Sequence, residues 1–145
     1  MVLVRNLWLA MKSVLRSARR LINMELKPLG LSGAEGDILF LLLTGSDQLQ
    51  QEKLAEQLDI GKAAVSRVID SLVANGYVIR RQHSEDKRAY SICLTDKAAL
   101  VSDEIIGIYD RLYALAKMGI SDAELARVEA MLNQVSVNLQ TGGNE

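Results

Sequence analysis

Apolar residues recur at spacings of three and four near the start of the chain: Val4, Leu7, Trp8, Met11, Val14, Leu15, Ala18, Leu21 and Ile22. Arg5, Lys12, Ser13, Arg16, Arg19, Arg20 and Asn23 fill the opposite side, which predicts a long amphipathic helix closed by Pro28 and Gly30. Its wide stripe fits packing on the chain's own core or a face shared with a second copy. Ser32-Gly33-Ala34-Glu35 is a capping box ahead of the run Asp37 to Leu43. That run has no polar side and predicts a central, buried helix ended by Thr44-Gly45-Ser46-Asp47. Gln48-Leu49-Gln50 reads as a short extended link.

Glu52 to Leu58 is a short helix with Leu54, Ala55 and Leu58 inward, and Asp59-Ile60-Gly61 is a turn. A second helix, Lys62 to Asn75, places Val65, Val68, Ile69, Leu72 and Val73 on one face. Lys62, Ala63, Ser66, Arg67, Asp70 and Ser71 lie on the other, and Asn75-Gly76 stops it. Two short helices around a tight turn, the second presenting small and cationic residues, is a helix-turn-helix pattern. Two β-prone runs follow, Tyr77 to Gln82 and Arg88 to Leu94, the second with Tyr90, Ile92 and Leu94 alternating onto one face. The polar segment His83 to Lys87 between them predicts a hairpin with a hydrophilic tip, which completes a winged helix. Thr95 caps another long helix carrying Val101, Ile105, Ile108, Leu112 and Leu115, stopped by Gly119. A second capping box, Ser121 to Glu124, opens a last helix with Leu125, Val128, Leu132, Val135 and Leu139 at heptad-like spacing. Residues 141–145 are expected to fray.

Composition narrows the chemistry. A single Pro in 145 residues favours a helix-rich fold. With one His and one Cys, a disulfide framework, a multi-ligand metal site and a nucleophile–base pair all lack the residues they need, so neither an enzyme nor a cofactor is expected. Arg5 and Lys12 interrupt the N-terminal apolar stretch well before the roughly 18 residues a membrane span requires, so a cytoplasmic protein with no membrane partner is expected. The formal net charge of -1 does not suggest a nucleic-acid binder. Its distribution does: from Ile60 to Leu94, Lys62, Arg67, Arg80, Arg81, Lys87 and Arg88 stand against Asp70, Glu85 and Asp86, a local excess of +3. Steering and phosphate contact depend on that local field rather than on global charge.

Three segments, Leu54 to Leu58, Val65 to Leu72 and Gly76 to Arg81, resemble the winged helix of the MarR transcription regulators. The most specific match is Asp86-Lys87-Arg88-Ala89-Tyr90-Ser91-Ile92-Cys93-Leu94-Thr95. It resembles the family's Asp-x-Arg wing, the alternating strand after it and the Leu-Thr pair that opens the next helix. The resemblance implies a mainly α fold: a winged helix-turn-helix with a small β-hairpin wing over residues 31–99, flanked by a helical dimerisation region over 1–30 and 100–145. It further implies a homodimer on double-stranded, pseudo-palindromic operator DNA, acting as a repressor released by a small aromatic or anionic ligand. Carried over by position, Lys62, Ala63, Ser66 and Arg67 face base edges or nearby phosphates. Arg88 enters the minor groove, Asp86 braces it, and Arg80, Arg81 and Lys87 hold phosphates. The residue chemistry agrees: Arg offers a planar donor fork, Ser66 can bond base or phosphate, and Ala63 is small enough to touch a thymine methyl.

The bland alternatives are an ion pair of Arg67 with Asp70, a pair of Arg88 with Asp86, and a winged-helix protein-interaction module without DNA binding. The sequence departs from the family at Gly61, Ala63 and Ala64, where hydroxyl residues are common, and at Ala98, where Gly is common. The family's effector cleft would draw on Trp8, Met11, Arg16, Arg19, Phe40 and Tyr109. Cys93 is expected to be a small structural residue, and His83 a solvated one on the wing.

Overall fold

The computed structural model describes residues 1–46, 48–82 and 90–143. They fall into two compact units, Met1–Leu112 and Tyr113–Glu145. In the first, α1 (Val2–Leu26) ends as predicted: Lys27–Leu29 form a single 3-10 turn around Pro28, and Gly30 closes it at φ +71°. That left-handed conformation is one a side chain would strain. Only Ile22 and Leu26 of α1 are buried. The residues of its first four turns stay largely in solvent, Trp8 at 44% exposure, so packing of the whole stripe on this chain's own core is not what forms.

The capping box is made in full at the start of α2 (Gly33–Thr44). The Glu35 amide donates to Ser32 Oγ at 3.2 Å, and the Ser32 amide donates to Glu35 Oε1 at 3.0 Å. Ile38, Leu39 and Leu42 are buried, and Phe40, Leu41 and Leu43 pack half-buried around the same core. α2 is therefore the central helix its unbroken apolar run implied. Gln48–Gln50 is not a free link. It is strand β1, antiparallel to β3 with Leu49 opposite Ile92. The remaining core comes from α3 (Gln51–Leu58), α4 (Lys62–Ala74), β2 (Val78–Gln82) and β3 (Tyr90–Leu94), with the sheet ordered β1-β3-β2. Being the middle strand, β3 buries Ser91 and Cys93 as well as Ile92, while Tyr90 is exposed. Tyr90, Ile92 and Leu94 share one face of the strand as the alternation predicts, but burial does not follow that face alone, since Ser91 and Cys93 lie on the opposite face.

Thr95 caps α5 (Asp96–Leu100) through the Ala98 amide, and its own hydroxyl donates to the carbonyls of Gly76 (2.6 Å) and Tyr77 (3.1 Å). Lys97 reaches back to the Asn75 carbonyl at 2.6 Å, with its ammonium over the Tyr77 ring. The helix expected to run on unbroken stops at Val101, where the amide bonds Ala98 and the Ser102 hydroxyl takes the Ala99 carbonyl. Such a local side-chain bond competes with the helical ladder. α6 (Ser102–Lys117) then resumes, burying Ile105, Ile108 and Tyr109.

In the second unit, Gly119 (φ +79°) makes the turn into α7 (Asp122–Gly142). The box at Ser121 and Glu124 is complete, and Lys117 Nζ lies 2.5 Å from Asp122 Oδ1. Both carboxyls are held below their ordinary ranges. For Asp122 the cause is the hydrogen bond and charge of Lys117, and for Glu124 the bonds from Ser121. No residue of α7 is buried, and the helix persists through Thr141 and Gly142, further than expected. Thr141 Oγ1 bonds the Val137 and Asn138 carbonyls, both at 3.1 Å.

Candidate nucleic-acid interface

The turn between α3 and α4 is set by Asp59 in the left-handed region (φ 52°) and by the Ile60 amide bonding the Ala55 carbonyl at 3.1 Å. α4 then starts at Gly61 with no side-chain cap, so its first amides lack the acceptor that a Ser or Thr there would supply. Val65, Ile69 and Leu72 are buried. This face fixes the helix rotationally and leaves Lys62, Ala63 and Arg67 exposed, with Ser66 half-buried beside them. Val73 is exposed, contrary to its expected inward placement. Ser71 instead turns inward and donates to Oε2 of buried Glu35 at 3.2 Å. At about 100° per residue Val73 lies just beyond the buried sector centred on Leu72 and Ile69.

Among the described residues Arg67 makes no ion pair, so its alternative pairing with Asp70 is not formed. Lys62 Nζ stands 4.0 Å from Glu52 Oε1, the outer limit of an ion pair between exposed groups, which contributes little. Arg81 is exposed on β2. Arg80 is different. Its guanidinium lies 2.5 Å from Asp70 Oδ1 and donates to the Ser66 carbonyl (3.1 Å) and to Gln51 Oε1 (3.3 Å), which departs from a free phosphate-holding side chain. Asp86, Lys87, Arg88 and His83 lie outside the described residues. Cys93 is buried, its thiol 3.5 Å from Gln48 Oε1, as suits a small packing residue.

Three of the six effector candidates come together. Arg19 Nη2 bonds Asp37 Oδ2 at 2.7 Å, the Tyr109 hydroxyl donates to Asp37 Oδ1 at 2.5 Å, and the Phe40 and Tyr109 rings stack with centroids 4.3 Å apart. Asn23 Oδ1 accepts the Gly33 amide at 2.8 Å beside them. Trp8, Met11 and Arg16 sit farther along α1 toward its N-terminus, Trp8 about 16 Å along the axis from Arg19. The residues that organise these sites, Asp37, Gln51 and Glu35 with Ser71, were not singled out for these roles from the sequence. In the sequence Glu35 stands out only as half of a capping box and Ser71 only as an outward residue of α4, while Asp37 and Gln51 have no role assigned.

The sequence profile of the MarR family matches residues 29–89, a stretch that includes α2, β1, α3, α4 and β2. The chain is 33% identical over 136 residues to the uncharacterized HTH-type transcriptional regulator YkoM of Bacillus subtilis, covering 93% of this chain and 87% of that one. The chain belongs to the MarR family. A second relative, the HTH-type transcriptional repressor YetL of Bacillus subtilis, is 32% identical over 108 residues, 73% of this chain and 64% of YetL's own length. Among solved structures, a MarR family transcriptional regulator from Listeria monocytogenes in complex with 26mer DNA superimposes with a TM-score of 0.79 at 26% identity, over 90% of this chain and 86% of that one. This MarR-family chain is thus a transcriptional regulator on a winged-helix scaffold, and its relatives are regulators rather than enzymes. No helix among the described residues is long and apolar enough to cross a membrane.

Proposed function

We propose that this MarR-family chain binds duplex DNA as a homodimer, laying α4 in the major groove and its wing in the adjacent minor groove, and represses transcription until a small aromatic or anionic ligand releases it. The observation that carries the reading is the exposed row Lys62, Ala63 and Arg67 on α4, with Arg81 on the neighbouring strand. Ser66 flanks the row at the half-buried edge. In this reading Arg67 and Ser66 meet base edges or phosphates, Lys62 and Arg81 hold phosphates, and Lys87, Arg88 and Asp86 act from the wing. The DNA-bound Listeria relative and the repressor YetL support it. A homodimer accounts for the apolar side chains left in solvent on the first turns of α1 and, separately, along α7.

Gel-shift titration on the DNA upstream of the chain's own gene, at two salt concentrations, tests the reading. Each phosphate neutralised steepens the log–log salt slope by about 0.9, so binding indifferent to salt refutes it. Sedimentation at micromolar concentration should give a dimer mass. Effector binding near Arg19, Phe40 and Tyr109, with Trp8, Met11 and Arg16 extending it, is read by melting with benzoate and related aromatic acids. A rise in melting temperature supports it, and a flat response across the series removes it.

A further inference from the structure

Arg80 stands on the first wing strand, yet its side chain is only 24% exposed and its three nitrogens reach three different places. Nη1 pairs with Asp70, Nη2 donates to the Ser66 carbonyl, and Nε donates to Gln51. Ser66 and Asp70 are one turn apart on the outward side of α4, and Gln51 is the first residue of α3. One side chain therefore ties the wing root to both helices of the helix-turn-helix. Asp70 is the sole acidic residue of α4 and its side chain is 62% exposed, so without Arg80 it would set a bare negative charge among the groups meant to approach phosphate. The fork of a guanidinium can do this and a lysine cannot, because an ammonium is a point charge without divergent planar donors.

We infer that Arg80 is a positioning residue for DNA recognition. It fixes the rotation and charge of α4 relative to the wing, and so governs sequence preference rather than phosphate affinity. The inference rests on the DNA-binding reading above and removes Arg80 from its phosphate contacts.

The test uses the full chain, a duplex it selects from a random-sequence pool, and a scrambled duplex of the same composition, titrated by fluorescence anisotropy over a range of salt. Arg80→Lys keeps the charge and loses the fork. The double variant Asp70→Asn with Arg80→Gln leaves local net charge unchanged. Both should keep the salt slope and the scrambled-duplex affinity, while preference for the selected duplex falls about tenfold, the size of one misplaced base contact. Arg81→Ala, in contrast, should lower the slope by about 0.9 on both duplexes. Circular dichroism establishes that each variant is folded, and Arg80→Lys, the milder change, decides the matter should the double variant unfold. If Arg80→Lys retains full sequence preference, or the double variant loses slope equally on both duplexes, Arg80 is a phosphate contact and the inference is overturned. An unmodified chain that enriches no sequence refutes the DNA-binding reading itself, a separate and distinguishable failure.

Discussion

The contact between Glu35 and Ser71 joins the start of α2 to α4, and its worth can be worked out. Ser71→Ala removes a 3.2 Å hydrogen bond to a buried carboxylate, and bonds to charged groups contribute about 1.5 kcal/mol at the lower end of their range. Glu35→Ala removes that bond and also the reciprocal arm of the capping box at the Ser32 amide, a further loss of about 1 kcal/mol. Once Glu35 is gone, Ser71 has no carboxylate to lose. The double variant should then be destabilised by about 2.5 kcal/mol, close to Glu35→Ala alone, giving a coupling energy of about 1.5 kcal/mol. For a chain of this length that corresponds to melting shifts of about 3–6 °C for Ser71→Ala and about 5–10 °C for Glu35→Ala. Urea unfolding followed by circular dichroism measures all four corners of the cycle. Chain concentration must be held fixed, because association contributes to apparent stability. Single-variant effects that simply add, to within about 0.3 kcal/mol, would falsify the coupling.

Gly36→Ala should cost about 1–3 kcal/mol, because the added methyl runs into Leu26 Cδ1 and comes within 3.1 Å of the Tyr109 hydroxyl; differential scanning calorimetry will detect it, and an unchanged melting curve contradicts the close packing of α1 on α2. Arg67→Ala should weaken binding to the selected duplex by about 1–3 kcal/mol, measured by anisotropy, and equal affinity would remove Arg67 from the interface. The start of α7 should loosen in acid. Asp122 and Glu124 titrate below their ordinary values of 3.8 and 4.5, so the stability they lend is full above those values and is lost as pH falls through the lower folded ones. Protection factors at residues 122–126, which divide out the intrinsic pH dependence of amide exchange, should therefore fall between pH 6 and pH 3, and the Asp122→Asn variant should show a smaller fall.

The parts of this molecule legible from sequence are those set by local chemistry. Both capping boxes, the stop at Pro28 and Gly30, the turn at Asp59 to Gly61 and the inward face of α4 through Val65, Ile69 and Leu72 follow from spacing and side-chain type alone. What stayed hidden depends on partners distant in the chain. Gln48 to Gln50 is too short to announce a strand and becomes one only because β3 offers it an edge. The break at Val101 is the exception, a local one: the Ser102 hydroxyl donates to the Ala99 carbonyl three residues back, and the apolar spacing carries no sign of it. For the site, cation placement on α4 was readable. That Arg80 turns inward was not, since its three acceptors sit 10, 14 and 29 positions away.

The first four turns of α1 leave Leu3, Val4, Leu7, Trp8, Val14 and Leu15 in water. If a second copy is what covers them, regulation acquires a threshold in protein abundance. At levels well below the dissociation constant of the pair, the assembled form grows with the square of chain number, and halving synthesis leaves about a quarter of it by mass action. A cell could then loosen or tighten control by small changes in how much of the protein it makes, before any effector appears.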